Sequence, residues 1–321
     1  MDANLQAWSS PQIDNPDQQF ISILACPSCK GNLAQDLNGN LVCLRCDQRY
    51  PQVEGIWRFL LPSQSARYQP FLDNYRVIRQ GDGWERQEDN YYLNLPNVPP
   101  DDPQAPIWKI RQRTFGILRD YLTHPAASWA LDLGAGNCWL SHHLALMGYR
   151  VLALDINVEG RDGLCGGALY LSQGDCFFQR GQASIDCLPI SNEQITLCII
   201  NGAVHYVNLQ ATLENVFMAL KPRGQLIIMD SPVFDDRLSG MQMRQEQLAY
   251  FDVQYSVTGA STEGPGFLVL DEVLSTLKAV GFSTQVRWPD RPGARKFRKI
   301  ANRLSKHRQT ACFPIFINTK L

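Results

Sequence analysis

Two sets of residues in this chain have side chains and spacings suited to chemistry. Cys26 and Cys29 enclose two residues, thirteen residues follow, and Cys43 and Cys46 repeat the short spacing. Two such knuckles can set four thiolates tetrahedrally around one Zn²⁺, and a shell filled by thiolates leaves no position for substrate or water. The predicted Zn²⁺ is therefore structural. The competing chemistry, disulfides or redox CxxC pairs, belongs to an oxidising compartment or a thioredoxin-like βαβ setting, and the surrounding sequence suggests neither. Gly31 suits the turn after the first pair, and the Asn38-Gly39-Asn40 run suits a hairpin that returns the second pair to the first.

The second set is the stretch LDLGAGNCWLS, residues 131–141. It ends an apolar strand-like run and opens a helix-like one, so its amides suit a small-molecule cofactor. A dinucleotide turn would place its third glycine at Trp139, where an indole argues against NAD or FAD, and no G-K-[ST] follows to mark an ATP phosphate loop. Asp132 repels a pyrophosphate but suits a cofactor carrying positive charge. Asp155 lies nineteen residues beyond Gly136, at the end of the next apolar run, where a carboxylate can receive both ribose hydroxyls. Gly134, Gly136 and the two acids together describe a site for a cationic nucleoside.

Three residues follow the later apolar run ITLCIING or end it. His205 is the candidate general base, since its titration range suits neutral pH, and Tyr206 and Asn201 share its address. His142 and His143 are expected to pack rather than ligate, because no cysteine or carboxylate accompanies them at metal spacing along the chain.

The elements that must position these groups can be read from the same 321 residues. Residues 1–20 are polar and proline-containing and read as a tail or strap; 21–62 form the four-cysteine zinc ribbon; 63–124 are helical and aromatic; 125–321 alternate strand and helix patterns, with an insertion at 231–268. Continuously apolar strands between amphipathic helices predict an open, mainly parallel α/β sheet. The aromatic helices are candidates for a lid that excludes water, and the insertion for its opposite wall. Net charge is −1, so no bulk positive field advertises nucleic acid or an anionic membrane. The N-terminus lacks a secretory pattern and no apolar run reaches a membrane span, so the expectation is a soluble cytoplasmic protein.

From about residue 128 to 321 the chain resembles the class I S-adenosylmethionine-dependent methyltransferases. LDLGAGNCWLS is similar to their first motif and VLALDI to their second strand and its acid. DCLPISNEQITLCIINGAVHYV is similar to their fourth-strand region, and ALKPRGQLIIMD to the helix, turn and strand that follow. The resemblance implies a seven-stranded Rossmann-like sheet and S-adenosyl-L-methionine as cofactor. Asp132, Gly134 and Gly136 would shape its methionine side, Asp155 would bind ribose, Asp186 or its surroundings would contact adenine, and Asn201 joins this cofactor set. The chain departs from the family at Cys138, in place of the third glycine, at Ser184, where the adenine-contacting acid is common, and at Thr196, where the fourth strand often carries Asp.

Methyl transfer from a sulfonium centre depends chiefly on alignment, so a base is optional. Neutral charge and abundant aromatics favour an enclosed pocket and a small organic acceptor. The competing substrate is RNA: a ribbon joined to such a domain is similar in outline to bacterial 23S ribosomal RNA guanine methyltransferases, and a basic run extends from Arg291 to Arg308. A third reading is a catalytically inactive interaction protein.

Overall fold

Pro16 opens the first element that can be described. A computed structural model describes residues 16–122, 128–257, 264–289 and 308–321, so most of the expected tail lies outside it. Helix α1 (Pro16–Ser22) buries Phe20, whose ring centroid lies 6.2 Å from Trp57 and 6.0 Å from Trp129. This helix therefore ties the cysteine module to the larger sheet.

The module contains a small antiparallel sheet of β1 (Leu33–Gln35), β2 (Leu41–Cys43) and β3 (Arg49–Tyr50). The Asp36 carboxylate accepts the Asn38 and Asn40 amides, both at 2.9 Å, and so fixes the β1–β2 turn. A second hairpin joins β4 (Gln52–Val53) to β5 (Ile56–Arg58) through Glu54 and Gly55, at φ +54° and +71°. Two left-handed residues in a two-residue loop match the twist of the flanking strands.

Helices α2 (Pro62–Gly81), α3 (Asp89–Leu93) and α4 (Ala105–Tyr121) follow. The chain then alternates through β6 (Trp129–Leu133), α5 (Trp139–Leu146), β7 (Arg150–Asp155), α6 (Gly167–Leu171), β8 (Phe178–Gln182), β9 (Ile195–Asn201), α7 (Leu209–Ala219) and β10 (Leu220–Met229). The 231–268 segment holds β11 (Val233–Phe234), α8 (Arg237–Tyr255) and β12 (Leu268–Val269), and the chain ends with α9 (Leu270–Val280), β13 (Phe282–Arg287) and β14 (Ile315–Lys320).

The main sheet has nine strands among the described residues, in the order β13-β14-β10-β9-β6-β7-β8-β5-β4. Seven of them, β6–β10, β13 and β14, come from the domain expected to hold the sheet, and the other two, β4 and β5, from the cysteine module. The cysteine module donates its second hairpin, with β5 pairing parallel to β8 and β4 antiparallel to β5. Strand β14 runs antiparallel to both neighbours, and the central strands are parallel. Helices cover both faces, which is why β6 and β9 are apolar along almost their whole length. Strand direction of travel reverses between β6 and β9, and the crevice at their carboxyl ends is where such sheets hold ligands.

Candidate functional site

A cavity of about 190 Å³ opens at that crevice. Its floor includes Asp132, Gly134, Gly136, Asp155 and Asn201, with Tyr206 at the side, so six of the expected site residues meet there. The backbone explains the glycines. Gly134 has φ +75°, and a Cβ on it would come within 2.4 Å of the Ala203 Cβ, while Gly136 has φ +52°. Cys138 also sits left-handed, at φ +68°, and is fully buried. The third-glycine position is thus one that favours glycine, and cysteine occupies it with its sulfur packed against Gly167.

The acids are set by named donors. Asp155 Oδ2 accepts the Gly136 amide at 2.8 Å and Oδ1 accepts the Asn157 amide at 2.7 Å. Asp132 Oδ2 accepts the Ser141 hydroxyl at 2.6 Å, but its Oδ1 is buried without a partner, as is Asn201 Oδ1 on the neighbouring strand. Burial raises the Asp132 pKa to about 7 and that of Asp155 to about 6. Orphaned acceptors on residues that line a cavity fit a ligand that brings donors and positive charge, which is the chemistry of S-adenosylmethionine's ammonium, sulfonium and ribose groups.

Helices α2 and α4 cover the cavity. Helix α2 contributes Arg67, Tyr68, Phe71, Leu72, Tyr75 and Arg79, and α4 contributes Trp108 and Arg111. Arg79 is clasped by Asp162 through two contacts, Nη2 to Oδ1 at 2.7 Å and Nε to Oδ2, which latches α2 over the loop after β7. Among the described residues of 231–268 none lines the cavity, and α8 meets the end of α2, where Tyr255 and Tyr250 donate to Asp82 at 2.5 and 2.9 Å.

Two expected residues are not brought to the wall. His205 is buried beneath Tyr206, with Nδ1 3.0 Å from the Ser231 hydroxyl, and burial, reinforced by Arg244 and Arg111, pushes its pKa down to about 3. It is neutral at physiological pH and a weak base. Asp186 lies behind Ser184, which with Ile185 lines the cavity; the Ser184 hydroxyl donates to Asp186, and Tyr68 bonds both, at 2.7 Å to Ser184 and 3.2 Å to Asp186. The sequence reading missed Arg111, although it falls three residues after buried Trp108 and four before buried Phe115, inside an apolar stripe where a charge is unexpected.

His142 is buried and stacks on Tyr170, with ring centroids 4.9 Å apart. Folding brings Asp175 and Cys176 to it, with Nδ1 3.2 Å from the Cys176 sulfur, a proximity that chain spacing does not reveal.

The four early cysteines converge as expected. Sulfur separations are 3.7 Å for Cys26–Cys46, 3.4 Å for Cys29–Cys43 and 3.4 Å for Cys29–Cys46. Tetrahedral Zn–S bonds of about 2.3 Å put sulfurs about 3.8 Å apart. Gly31 is part of this cradle, because a Cβ there would come within 3.0 Å of the Cys43 sulfur.

Comparison with known proteins agrees with this geometry. Residues 131–228 match the profile of a methyltransferase domain, and residues 17–55 match that of Trm112p-like protein. The chain therefore contains a class I S-adenosylmethionine-dependent methyltransferase domain fused to a Trm112-like N-terminal zinc-binding motif, and it is an enzyme of the methyltransferase kind. Among solved structures it is similar to a protein of Galdieria sulphuraria provisionally described as a sarcosine dimethylglycine methyltransferase, at 15% identity and a TM-score of 0.51, over 77% of this chain and 98% of the other. It is also similar to phosphoethanolamine N-methyltransferase 2 of Haemonchus contortus, at 14% identity and a TM-score of 0.51, over 79% of this chain and 60% of the other. These likenesses establish the fold. No curated protein matches the chain. None of these findings points to a guanine of 23S ribosomal RNA, and the basic run falls almost entirely in residues 290–307, outside the described residues. Among the described residues, no helix is long and apolar enough to cross a membrane.

Proposed function

We propose that the protein transfers the methyl group of S-adenosyl-L-methionine to an O, N or C nucleophile of a small organic acceptor held under helices α2 and α4. The observation that carries this reading is the covered cavity at the switch point, with two orphaned acceptors, Asp132 Oδ1 and Asn201 Oδ1, facing a site where Asp155 is already oriented. When bound, the cofactor supplies an electrophilic methyl carbon on a positively charged sulfur. Asp155 receives the ribose hydroxyls, Asp132 and Asn201 accept from the methionine end, and the Gly134–Gly136 backbone allows close approach. Ser184 and Ile185 form the adenine end, with Asp186 holding the Ser184 hydroxyl from behind. Tyr206 orients the acceptor, and His205 supports the ring of Tyr206 from below, with centroids 4.1 Å apart.

Under this reading rate comes from alignment and exclusion of water, with no proton removal by His205. The aromatic cover, including Phe71 against Tyr206 at 5.9 Å between centroids, supports a small acceptor over a polynucleotide. The four-cysteine cluster holds Zn²⁺ structurally, residues 63–124 act as the cover, 125–321 form the catalytic domain, and the protein works in the cytoplasm. Calorimetry with S-adenosylhomocysteine tests the cofactor, and mass spectrometry of small-molecule extracts incubated with methyl-labelled cofactor identifies the acceptor. Absence of cofactor binding, or label appearing only in RNA, would refute the reading.

A further inference from the structure

The cavity wall carries three arginines, and two of them have acids of their own: Arg79 is clasped by Asp162, and Arg67 lies 3.8 Å from Asp186. Arg111 differs. Its Nε is buried without a hydrogen-bond partner, and no ion pair to it is found among the described residues. The guanidinium lies 4.7 Å from the ring of Trp108 and 5.4 Å from that of Trp84, so aromatic faces hold it while its polar edge is left free. Asp230 is close enough to favour the charge, yet it has turned one oxygen to the Thr114 hydroxyl at 2.7 Å and its other is unpaired. Arg111 is half-buried, and a guanidinium whose Nε is buried without a partner gains from an acceptor supplied to its remaining edge.

Its position says what that partner is. The cofactor-binding groups run across the sheet from Ser184 after β8, through Asp155 on β7 and the glycine turn after β6, to Asn201 at the end of β9. Arg111 lies at the β10 side of that row: its Nη2 is 3.6 Å from the point where a Cβ on Gly202 would stand, and Gly202 and Asp230 directly follow β9 and β10. Gly202 lines the cavity together with Tyr206, the residue assigned above to orient the acceptor, so under that reading Arg111 borders the acceptor's side. Of the three guanidinia on the cavity wall, Arg111's alone has no ion pair among the described residues, which matches one negative charge, and its planar fork matches a carboxylate.

We propose that the methyl acceptor is an organic acid whose single carboxylate is seated on Arg111 between the ends of β9 and β10. This deepens the methyltransferase reading and rests on it.

The test uses the full chain saturated with S-adenosylhomocysteine, with tryptophan emission from Trp84 and Trp108 as the readout. Acetate, glycine and benzoate are titrated beside acetamide, glycinamide and benzamide. At least one acid should give a saturable change that its amide does not. Arg111→Met should weaken that acid at least tenfold while S-adenosylhomocysteine affinity stays within twofold, and Arg111→Lys should show a smaller loss. Three results would overturn the proposal: no acid discriminated from its amide, acid binding unchanged in Arg111→Met, or loss of S-adenosylhomocysteine affinity with 5′-methylthioadenosine affinity intact, which would give Arg111 to the cofactor's own carboxylate. If Arg111→Met loses both nucleosides, Arg111→Lys decides: retained nucleoside binding with unchanged acid affinity also overturns it. Failure of the wild type to bind S-adenosylhomocysteine would instead strike the underlying methyltransferase reading.

Discussion

The Gly136 amide donates to Asp155 Oδ2 across 2.8 Å, so the glycine turn after β6 and the acid at the end of β7 form one unit. The turn fixes the acid's rotamer, and the acid satisfies the turn's amide. Asp155→Ala should weaken S-adenosylhomocysteine at least tenfold, or about 1.4 kcal/mol, by calorimetry. Asp155→Asn can still accept from Gly136 and should lose less. Equal losses in both variants would mean that the carboxylate charge, and not the turn, dominates.

Asp132 makes the empty site sensitive to pH. Burial raises its folded pKa to about 7, above the ordinary carboxylate value, so the folded state holds a proton that the unfolded state has released. The contribution is destabilising as pH rises towards 7 and reaches its full extent above it. Asp132→Asn should therefore stabilise the cofactor-free protein more at pH 8 than at pH 5, by about 2 kcal/mol in the difference. Urea unfolding at the two pH values measures it. The same substitution should weaken cofactor binding.

Cofactor affinity should itself fall with acid. Asp155 and Asp132 attract the cationic ligand and accept from it with both oxygens only when ionised, and burial puts their pKa values at about 6 and about 7. S-adenosylmethionine affinity is expected to decline as pH drops through 7 to 5, and the Asp155→Asn profile should be flatter. His205, with its pKa down at about 3, contributes nothing in this window. His205→Gln should leave the shape of the curve unchanged, and a lost limb near pH 6.5 in that variant would restore histidine as a titrating participant.

How much of this was readable from the chain follows from local geometry. The glycine turn, Asp155 and the cysteine knuckles were legible because backbone conformation or ligand count fixes their spacing. Strand β8, FQRGQ, was not, because Arg180 interrupts its apolar pattern; that side chain is buried and donates to the Leu164 and Glu54 carbonyls at 2.9 and 3.1 Å. His205 and Asp186 were placed in the right segments but on the wrong side of them. Both lie in 3-10 turns, Val204–Tyr206 and Ile185–Cys187, where neighbouring side chains diverge by about 120°. A one-residue change of direction put Tyr206 and Ile185 on the cavity wall instead.

Cys138 shows how the third-glycine departure is tolerated. A left-handed non-glycine residue costs about 1–2 kcal/mol, and burial of a small apolar side chain returns about the same. A Cβ on Gly167 would stand 2.9 Å from the Cys138 sulfur, so the two positions are matched in size. Cys138→Gly should leave cofactor affinity unchanged and stability within about 1 kcal/mol, by thermal melting and calorimetry. Gly167→Ala should be destabilising in the wild type and markedly less so in the Cys138→Gly background. Additive effects would show that the pair is not coupled.

The cysteine module reaches the cofactor site through the chain that follows Ser184. The Lys30 ammonium donates to the Leu188 carbonyl at 2.6 Å, the Ala25 amide to the Pro189 carbonyl at 3.1 Å, and the Cys187 thiol to the Pro27 carbonyl at 2.9 Å. The same module supplies β5 to the edge of β8. Losing the metal should therefore do more than unfold a small appendage: it should release both the sheet edge and the loop that carries Ser184 and Ile185. Chelation of bound Zn²⁺, or Cys43→Ser, is expected to lower the melting temperature of the main cooperative transition and to weaken S-adenosylhomocysteine at least tenfold, with readdition of Zn²⁺ restoring both after chelation. Elemental analysis should find one Zn²⁺ per chain. A separate low-temperature transition, with cofactor affinity untouched, would show instead that the module and the catalytic sheet fold independently.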